Sequence, residues 1–342
     1  MHNTTAVLIR NIDELEEKSS LVLGLWDTQL LSQWLDADRL HVWCNSFTSY
    51  QAARSRGFRA EFSHTIPVLE GIQQVVIILP KSRELLNCWL TQLNAAYATG
   101  TKVYLVGEKK AGIQGGAKQL AGYCDKTVKL DMARHCQFWG ADLRGGGRFN
   151  LAEWQQVFAI GEGDDALQFA SIPGVFKHGE LDEGTALLLD NLGKIPSHRV
   201  LDFGCGAGVV GLHLKKRWPD ATVEMLDTSA EAVYASRQSA QMNQLDVEIY
   251  PSNGLSQVKG LFKAIYSNPP FHTGVRTDYS VTEQFIRDVA GQLMVGGELR
   301  IVANSFLKYP TQIEQHIGPC QVIAENSKFR VYSAIKRRVQ KR

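Results

Sequence analysis

The chain contains 342 residues, of which 44% are hydrophobic, and its 37 Lys and Arg residues nearly balance its 35 Asp and Glu residues. This length and composition predict a globular protein of about two domains with packed cores. A net charge of only +2 excludes a global basic field for nucleic acid.

In the first half of the chain, apolar runs alternate with segments of helical periodicity, which is typical of an α/β fold. The run from Val75 to Leu79 is continuously apolar, as expected for a strand buried on both faces. The pattern therefore predicts a small doubly wound domain. The predicted strands are 21–24, 40–44, 75–79 and 103–106, and the predicted helices are 30–35, 48–56 and 83–97.

This first half has no cofactor fingerprint. Its first predicted strand is followed by residues 24–27, which are bulky after Gly24 where a nucleoside-binding turn needs further glycines. The glycine-rich segments 112–116 and 145–147 do not lie between a first strand and its helix, so both are interpreted as loops. We interpret the second as a linker between a domain of residues 1–150 and a domain of residues 151–342.

The second half alternates in the same way and adds a turn at Pro173-Gly174. We expect its last two strands, near Val322 and at 329–335, to form an antiparallel pair that completes the sheet. The other predicted strands are 167–172, 200–203, 222–226, 247–250, 262–266 and 299–303, and the predicted helices are 185–192, 210–217 and 282–293.

The strand ending at Phe203 leads into a turn with three alternate glycines, Gly204-Cys205-Gly206-Ala207-Gly208. Such a turn lets a nucleoside approach the backbone. A dinucleotide fold would need Gly or Ala where Val209 stands, and the carboxylate of Asp202 would repel a pyrophosphate but pair with an amino-acid ammonium. The turn therefore favours S-adenosylmethionine over NAD, with Asp202, Gly204, Cys205 and Gly206 as cofactor-binding residues.

Two further positions suit the same cofactor. Asp227 ends the next predicted strand, about twenty residues after the glycine turn, which is the position from which a carboxylate accepts both ribose hydroxyls. Thr228 and Glu231 have the spacing of a helix capping box. Asn253 follows the third strand, where its amide suits either the adenine edge or turn formation.

A buried strand is also predicted immediately before Ser267-Asn268-Pro269-Pro270-Phe271, where two prolines stop both strand and helix. The side-chain amide of Asn268 and the carbonyl of Pro269 are hydrogen-bond acceptors, and Phe271 offers a flat apolar surface. This set suits a planar group that bears an exocyclic amine. We therefore interpret Asn268, Pro269 and Phe271 as catalytic residues, with Asn268 also beside the cofactor.

The order of the glycine turn, Asp227, Asn253 and Asn268-Pro-Pro-Phe271 resembles class I S-adenosylmethionine-dependent methyltransferases that act on exocyclic nitrogens. A fuller pattern is similar to the bacterial RsmC-type enzymes, which methylate guanine N2 in small-subunit (16S) ribosomal RNA. The segments that carry it are 173–176, 268–274, 297–304 and 328–334. The resemblance spans the whole chain and is strongest from about residue 172 onward.

This resemblance implies two tandem Rossmann-like domains, of which the C-terminal one is catalytic and the N-terminal one is a degenerate duplicate. It also implies that the target guanine is flipped out of the RNA and stacked on Phe271. The expected cofactor is S-adenosylmethionine and the expected partner is 16S rRNA or the small ribosomal subunit. We expect the protein to be a monomer. We also expect it to need no metal, because no CxxC pair or histidine cluster has metal spacing.

The two halves also match each other in sequence. In the predicted alignment, Cys44 stands where the second half has Asp227, and Leu79-Pro80-Lys81 replaces Asn268-Pro-Pro. The first half would thus have lost the ribose-binding acid and the amine acceptor, although two unrelated α/β domains remain the alternative. The matched segments are 75–80 with 264–269, 100–108 with 296–304, and 52–54 with 235–237.

Three other functions remain open at this point. An Asn-Pro-Pro-aromatic motif also serves adenine N6 and protein glutamine methylation, and two such domains could form a non-catalytic RNA-binding assembly protein.

His272 either supports the loop or contacts RNA. No apolar run reaches membrane-spanning length and the N-terminal segment lacks a signal peptide, so we expect a cytoplasmic protein. The candidate phosphate contacts are Arg276, Arg300, Lys328 and Arg330.

Overall fold

The computed structural model describes residues 2–15, 18–24, 27, 37–194, 198–269, 279–307 and 309–338. The chain divides into two compact units, Met1–Gln155 and Gln156–Arg342. Within the described ranges, no helix is long and apolar enough to cross a membrane. The helix predicted at 30–35 lies outside the described residues.

The first unit is a mixed sheet with helices on both faces. Continuous apolar runs form its central strands, and all five residues of the strand Gln74–Ile78 are buried. Its strands are β1 (Ser20–Leu23), β2 (Leu40–Cys44), β3 (Arg59–Phe62), β4 (Gln74–Ile78), β5 (Lys102–Glu108), β6 (Cys124–Ala133) and β7 (Cys136–Leu143). Its helices are α1 (Asn3–Arg10), α2 (Phe47–Ser55), α3 (Arg83–Ala96) and α4 (Ile113–Tyr123).

The second unit begins with an antiparallel hairpin and continues as a larger sheet. The hairpin strands are β8 (Gln156–Ile160) and β9 (Leu167–Ser171). The sheet strands are β10 (Arg199–Phe203), β11 (Thr222–Asp227), β12 (Glu248–Pro251), β13 (Phe262–Ser267), β14 (Leu293–Asn304), β15 (Cys320–Glu325) and β16 (Phe329–Ile335). The helices are α5 (Glu183–Leu189), α6 (Val209–Arg217), α7 (Ala230–Met242), α8 (Tyr279–Gln292) and α9 (Tyr309–His316).

The two larger sheets have the same topology. From edge to edge, the strand order is β3-β2-β1-β4-β5-β7-β6 in the first unit and β12-β11-β10-β13-β14-β16-β15 in the second. The first five strands of each order are parallel, and the last two strands form an antiparallel hairpin that pairs with β5 or β14. The predicted tandem duplication with a terminal antiparallel hairpin is therefore confirmed.

Strand register defines which positions of the two units are equivalent. Leu23 and Phe203 are the last residues of the equivalent strands β1 and β10. Leu23 pairs with Trp43 and Ile77 in the first sheet, and Phe203 pairs with Leu226 and Ser267 in the second. One residue further along each strand, Cys44 is equivalent to Asp227, as predicted. Ile78, however, is equivalent to Asn268, so the sequence alignment that matched Leu79 to Asn268 was wrong by one residue. A one-residue shift is hard to detect by sequence in an apolar run.

Alternation along the strands sends side chains to two different cores. In β1, Leu21 and Leu23 pack on one face of the sheet with Trp89, whereas Val22 packs on the other face with Leu8. All five side chains are essentially inaccessible to solvent. Burial of each such side chain stabilises the fold by roughly 1.5–3 kcal/mol relative to its exposed form.

The structure corrects the interpretation of one of the two glycine-rich segments of the first half. Residues 112–116 begin helix α4, with Gly112 as its N-cap, and are not a loop. The segment 145–147 is a loop, but its amides bind the first unit: Gly145 N donates to Asn94 Oδ1 (2.9 Å) and Gly147 N donates to Asn94 O (3.0 Å). The loop is therefore anchored to the first unit.

Several elements escaped the sequence analysis or were bounded differently. The hairpin β6–β7, strands β3 and β8, and helices α4 and α9 were not predicted. Helix α8 stops at Gln292, one residue before the predicted end and well before Gly296 and Gly297. They lie instead inside β14, whose pairing with β13 is irregular between Phe262 and Ala264.

Candidate active site

The predicted site residues converge at the carboxyl edge of the second sheet. Strand β10 pairs with β11 on one side and with β13 on the other. The glycine turn follows β10, Asp227 ends β11, and Asn268 follows β13. Chain connections diverge at this point of a doubly wound sheet, and such a divergence creates the crevice in which ligands bind.

The glycine turn needs glycine for two different reasons. Gly204, Gly206 and Gly208 have φ values of 74°, 55° and 88°, which side-chain-bearing residues rarely adopt. A Cβ on Gly206 would have no atom within 4 Å, so this part of the turn faces open space. A Cβ on Gly208 would lie 2.8 Å from the Met225 side chain, so that glycine allows α6 to pack closely against β11.

Asp227 joins the end of β11 to the glycine turn. Its Oδ2 accepts a hydrogen bond from Gly206 N (3.0 Å), and its Oδ1 accepts one from Ser229 N (2.9 Å). Burial raises the pKa of this carboxyl group, and backbone N–H donors, those of Ser229 and Gly206 among them, oppose the rise. The carboxylate is thus fixed beside the open side of the turn.

The helix that follows Asp227 does not start with the predicted capping box. Ser229, rather than Thr228, is the N-cap of α7, and its Oγ accepts a hydrogen bond from Ala232 N (3.2 Å). The same hydroxyl donates to Glu231 Oε2 (2.8 Å). The prediction was wrong by one residue, because Asp227 already holds Ser229 N and so defines where the helix begins.

Asp202 lies behind the turn and is only 2% exposed. Its Oδ2 accepts a hydrogen bond from Gly211 N (2.8 Å) in the first turn of α6. Burial raises the pKa of the Asp202 carboxyl group from 3.8 to about 7, the Gly211 N–H opposes this rise, and the charge of Asp227 adds to it. One oxygen of Asp202 therefore orients α6, a contact that the sequence analysis did not predict.

This buried acid gives a pH dependence of stability. With its pKa raised, the native ligand-free chain binds more protons than the unfolded chain between pH 3.8 and about 7. The contribution of Asp202 to the free energy of unfolding therefore falls as pH rises through that window. Asp202→Asn removes the titrating group, so we expect this loss to be absent from the variant. The free energy of unfolding of the variant minus that of wild type should increase by on the order of 3 kcal/mol between pH 4 and pH 8.

Urea unfolding of both proteins across this pH range, without cofactor, measures the difference. Asp190→Asn, the same change at an exposed position, controls for the loss of one negative charge. A stability difference between wild type and Asp202→Asn that does not change with pH would contradict the expectation.

Asn268 is held by helix α5. Its Nδ2 donates to Asp182 Oδ2 and to Thr185 Oγ1, each at 2.9 Å. Both bonds use the nitrogen end of the amide, so the Oδ1 end is directed away from Asp182. The preceding Ser267 Oγ donates to Phe203 O (2.8 Å), which ties the end of β13 to β10. Pro269 is buried, and Phe271 lies outside the described residues.

Two family models match the chain in tandem. The model described as methyltransferase small domain N-terminal matches residues 5–158, and that described as methyltransferase small domain matches residues 166–333. A ribosomal RNA small subunit methyltransferase C of Ectopseudomonas mendocina is 45% identical over 98% of this chain and 99% of its own length. The protein of that name from Pseudomonas fluorescens is 41% identical over 98% and 99%.

The chain belongs to the ribosomal RNA small subunit methyltransferase C family. Its fold agrees with this assignment. The solved structure of the T. thermophilus 16S rRNA N2 G1207 methyltransferase (RsmC) matches with a TM-score of 0.85 and 21% identity, over 98% of this chain and 92% of that chain.

In this member of the ribosomal RNA small subunit methyltransferase C family, sequence reasoning missed Asp182 and Thr185. Asp182 is the N-cap of α5, and its Oδ2 accepts a hydrogen bond from Thr185 N (3.0 Å). An Asp three residues before a Thr at a helix start predicts a cap. It does not predict a contact with Asn268, which lies 86 residues further along the chain.

Two other predicted cofactor residues lie close to the glycine turn or Asp227. Cys205 is buried in the turn, and burial raises the pKa of its thiol well above the ordinary value, so the group stays neutral. Asn253 is exposed just beyond β12, where the neighbouring Ser252 N donates to Asp227 O (3.0 Å). The structure thus brings Asn253 to the same sheet edge as Asp227.

The four predicted phosphate contacts differ in exposure and in the partners that the structure gives them. Arg300 is 9% exposed, pairs with Glu298 (2.6 Å) and donates to Asn191 O, so its guanidinium is occupied within the second unit. Lys328 is exposed and pairs with Glu183 (2.6 Å) at the start of α5. Arg330 pairs with Glu325 (2.8 Å), and Arg276 lies outside the described residues.

Proposed function

We propose that the chain transfers a methyl group from S-adenosylmethionine to the exocyclic N2 of one guanine in 16S rRNA. The observation that carries this proposal is the 45% identity to a ribosomal RNA small subunit methyltransferase C over nearly the whole length of both chains. The structural neighbour from T. thermophilus is an N2 methyltransferase for G1207, solved with AdoMet and guanosine. We propose the equivalent guanine as the target.

The residues around the glycine turn fit this cofactor. Gly206 faces open space, and the adjacent carboxylate of Asp227 can accept ribose hydroxyls. Asp202 and Asp227 place two carboxyl groups near the turn, and the charge of Asp227 raises the pKa of Asp202. Negative charge at this place would favour the binding of a cation such as an ammonium or a sulfonium. When bound, S-adenosylmethionine supplies a methyl carbon attached to a positively charged sulfur. Asn253 lies where it can meet the adenine.

Asn268 and Pro269 would prepare the amine for attack. The guanine N2 lone pair is conjugated with the ring, so catalysis requires that N2 can pyramidalise. Asn268 Oδ1 and the Pro269 carbonyl can accept its two hydrogens and stabilise positive charge that develops on nitrogen. Methyl transfer would place a positive charge on N2, which Asn268 Oδ1 and the Pro269 carbonyl would stabilise until one proton is released to solvent.

Positioning supplies the rest of the rate. Holding the guanine amine in a fixed position beside the bound methyl donor would convert a bimolecular reaction into an effectively unimolecular one. Phe271 would stack on the flipped base. No strong base is needed, because the charged nitrogen is acidic once the new bond has formed.

The catalytic unit is the second one, and the first supports it or binds RNA. The equivalents of Asp227 and Asn268 in the first unit are Cys44 and Ile78, which cannot perform these roles. Two exposed aromatic side chains of the second unit, Phe176 (63% exposed) and Phe306 (72% exposed), suit stacking on unpaired bases. We propose that the chain acts as a monomer in the cytoplasm, where ribosomal subunits are present.

Transfer of labelled methyl groups tests this function. Purified full-length chain is incubated with methyl-labelled S-adenosylmethionine and one of three acceptors: small ribosomal subunits, in vitro transcribed 16S rRNA, or an unrelated RNA of similar length. We expect label only in 16S rRNA, free or assembled. Label in ribosomal protein, equal label in the unrelated RNA, or none at all would contradict the proposal.

A further inference from the structure

We infer that Asp182 and Thr185 form a positioning pair that holds the Asn268 amide in one orientation, with Oδ1 toward the substrate amine. This inference rests on the proposed function and adds two residues to its machinery. Neither is close to Asn268 in sequence, and both come from the first turn of α5 or its cap.

The two contacts determine the orientation of the amide. An Asn amide nitrogen has two hydrogens, and here one is directed at Asp182 Oδ2 and the other at Thr185 Oγ1. A carboxylate only accepts hydrogen bonds, so rotating the amide by half a turn would bring two acceptor oxygens within 2.9 Å of each other. Hydrogen bonds to a charged acceptor are also the strong ones. The nitrogen end therefore stays on α5.

This orientation decides which substrates the site accepts. With Nδ2 on α5, Asn268 presents an acceptor to the crevice, which matches an amine hydrogen. A reversed amide would present a donor instead and would match a carbonyl oxygen. Because an unmatched pair leaves a buried polar group without a partner, the difference disfavours oxygen-bearing substrates. Asp182 and Thr185 thus contribute to the selection of an exocyclic amine.

The first unit provides an internal comparison for this arrangement. Helix α1 precedes β1 as α5 precedes β10, and α1 packs on β5 and β7 as α5 packs on the equivalent strands β14 and β16. A shared hydrogen bond ends both helices: Asn11 Nδ2 donates to Val7 O (2.8 Å), and Asn191 Nδ2 donates to Leu187 O (2.9 Å). The helices are therefore equivalent residue by residue.

In this comparison, the acid and the amide are lost together. His2 is the N-cap of α1 and is equivalent to Asp182, and Ile78 is equivalent to Asn268. Thr5, the counterpart of Thr185, is kept, but its hydroxyl donates to Asp27 Oδ2 (3.0 Å). The unit that has no amide to orient has a histidine cap where the catalytic unit has an aspartate. If the cap served only helix stability, an aspartate at this position would not need to occur together with the amide of Asn268.

Asp182 also caps α5, so the test variants must preserve that cap. Serine is an equally good N-cap residue. In Asp182→Ser the shorter side chain can still accept from Thr185 N but falls short of Asn268 Nδ2. Thr185→Val removes only the hydroxyl at nearly constant volume, and Thr185→Ser keeps the hydroxyl. These variants separate positioning of the amide from folding of the helix.

The test measures kcat and KM for methyl transfer to in vitro transcribed 16S rRNA, with cofactor affinity by calorimetry and stability by thermal unfolding. We expect Asp182→Ser and Thr185→Val each to lower kcat by roughly 10- to 100-fold. Cofactor affinity and Tm should stay close to wild type, and Thr185→Ser should recover most of the wild-type kcat.

Wild-type kcat in Asp182→Ser, or no recovery in Thr185→Ser relative to Thr185→Val, would overturn the inference. A loss of cofactor affinity parallel to the loss of kcat would do the same, because it would indicate a collapsed site. Failure of the proposed function is distinguishable, since wild-type protein itself would then leave the RNA unmethylated.

Discussion

Replacing Asn268 with alanine is expected to lower methyl transfer by at least about 1000-fold, while S-adenosylmethionine binding stays within a few-fold of wild type. Removing one preorganised polar group from a developing charge costs about 100- to 1000-fold, and loss of amine positioning adds to this. The cofactor should be affected little, because the glycine turn and Asp227 are anchored to each other independently of Asn268.

Single-turnover transfer to 16S rRNA gives the rate, and calorimetry gives the cofactor affinity. Asn150→Ala is a matched control, because it makes the same change at an exposed residue of the first unit that only caps Ala152 N (3.1 Å). The control should transfer at the wild-type rate. If Asn268→Ala loses cofactor binding as strongly as transfer, Asn268 shapes the cofactor pocket instead of the amine site.

The second large effect is expected at Asp227. Asp227→Ala should weaken S-adenosylmethionine binding by at least about 100-fold, since two hydrogen bonds to a charged acceptor are worth roughly 1.5–3 kcal/mol each. The same change leaves Gly206 N and Ser229 N without the carboxylate that holds them. The turn would therefore lose both its ribose acceptor and its anchor.

Calorimetry with purified protein measures this loss, and Cys44→Ala is the matched control from the equivalent position of the first unit. Cys44 is buried but lies in the unit without a cofactor turn, so its replacement should leave affinity unchanged. Wild-type affinity in Asp227→Ala, or an equal loss in Cys44→Ala, would contradict the assignment of the cofactor to the second unit.

Two positions at the carboxyl edge of the second sheet were predictable because polar residues stand where the apolar runs of their strands stop. Asp227 ends β11, and Asn268-Pro269 follows β13, where apolar runs stop in the sequence. The doubly wound character of the sheet was also predictable, since a βαβ alternation allows few topologies. Local pattern and chain order are sufficient for these features.

Other features depend on contacts that are distant in sequence. The hydrogen bond between Asp182 and Asn268 is one, because no local pattern joins positions 86 residues apart. Helix α4 is another: its glycines predict a loop, but a Cβ on Gly116 would lie 2.8 Å from the Leu79 side chain. Close packing of α4 on the sheet therefore requires glycine there, and tertiary packing overrides the weak helix propensity.

Identification of the methylated nucleoside tests the central claim most directly. Transcribed 16S rRNA is incubated with the full chain and methyl-labelled S-adenosylmethionine, digested to nucleosides and separated by chromatography with authentic standards. Asn268 Oδ1 is oriented to accept a hydrogen bond from a planar amine, and the chain belongs to this family. Together these findings predict that all label migrates as N2-methylguanosine. Label that migrates as N6-methyladenosine, or as any nucleoside methylated on a ring atom or ribose, would contradict it.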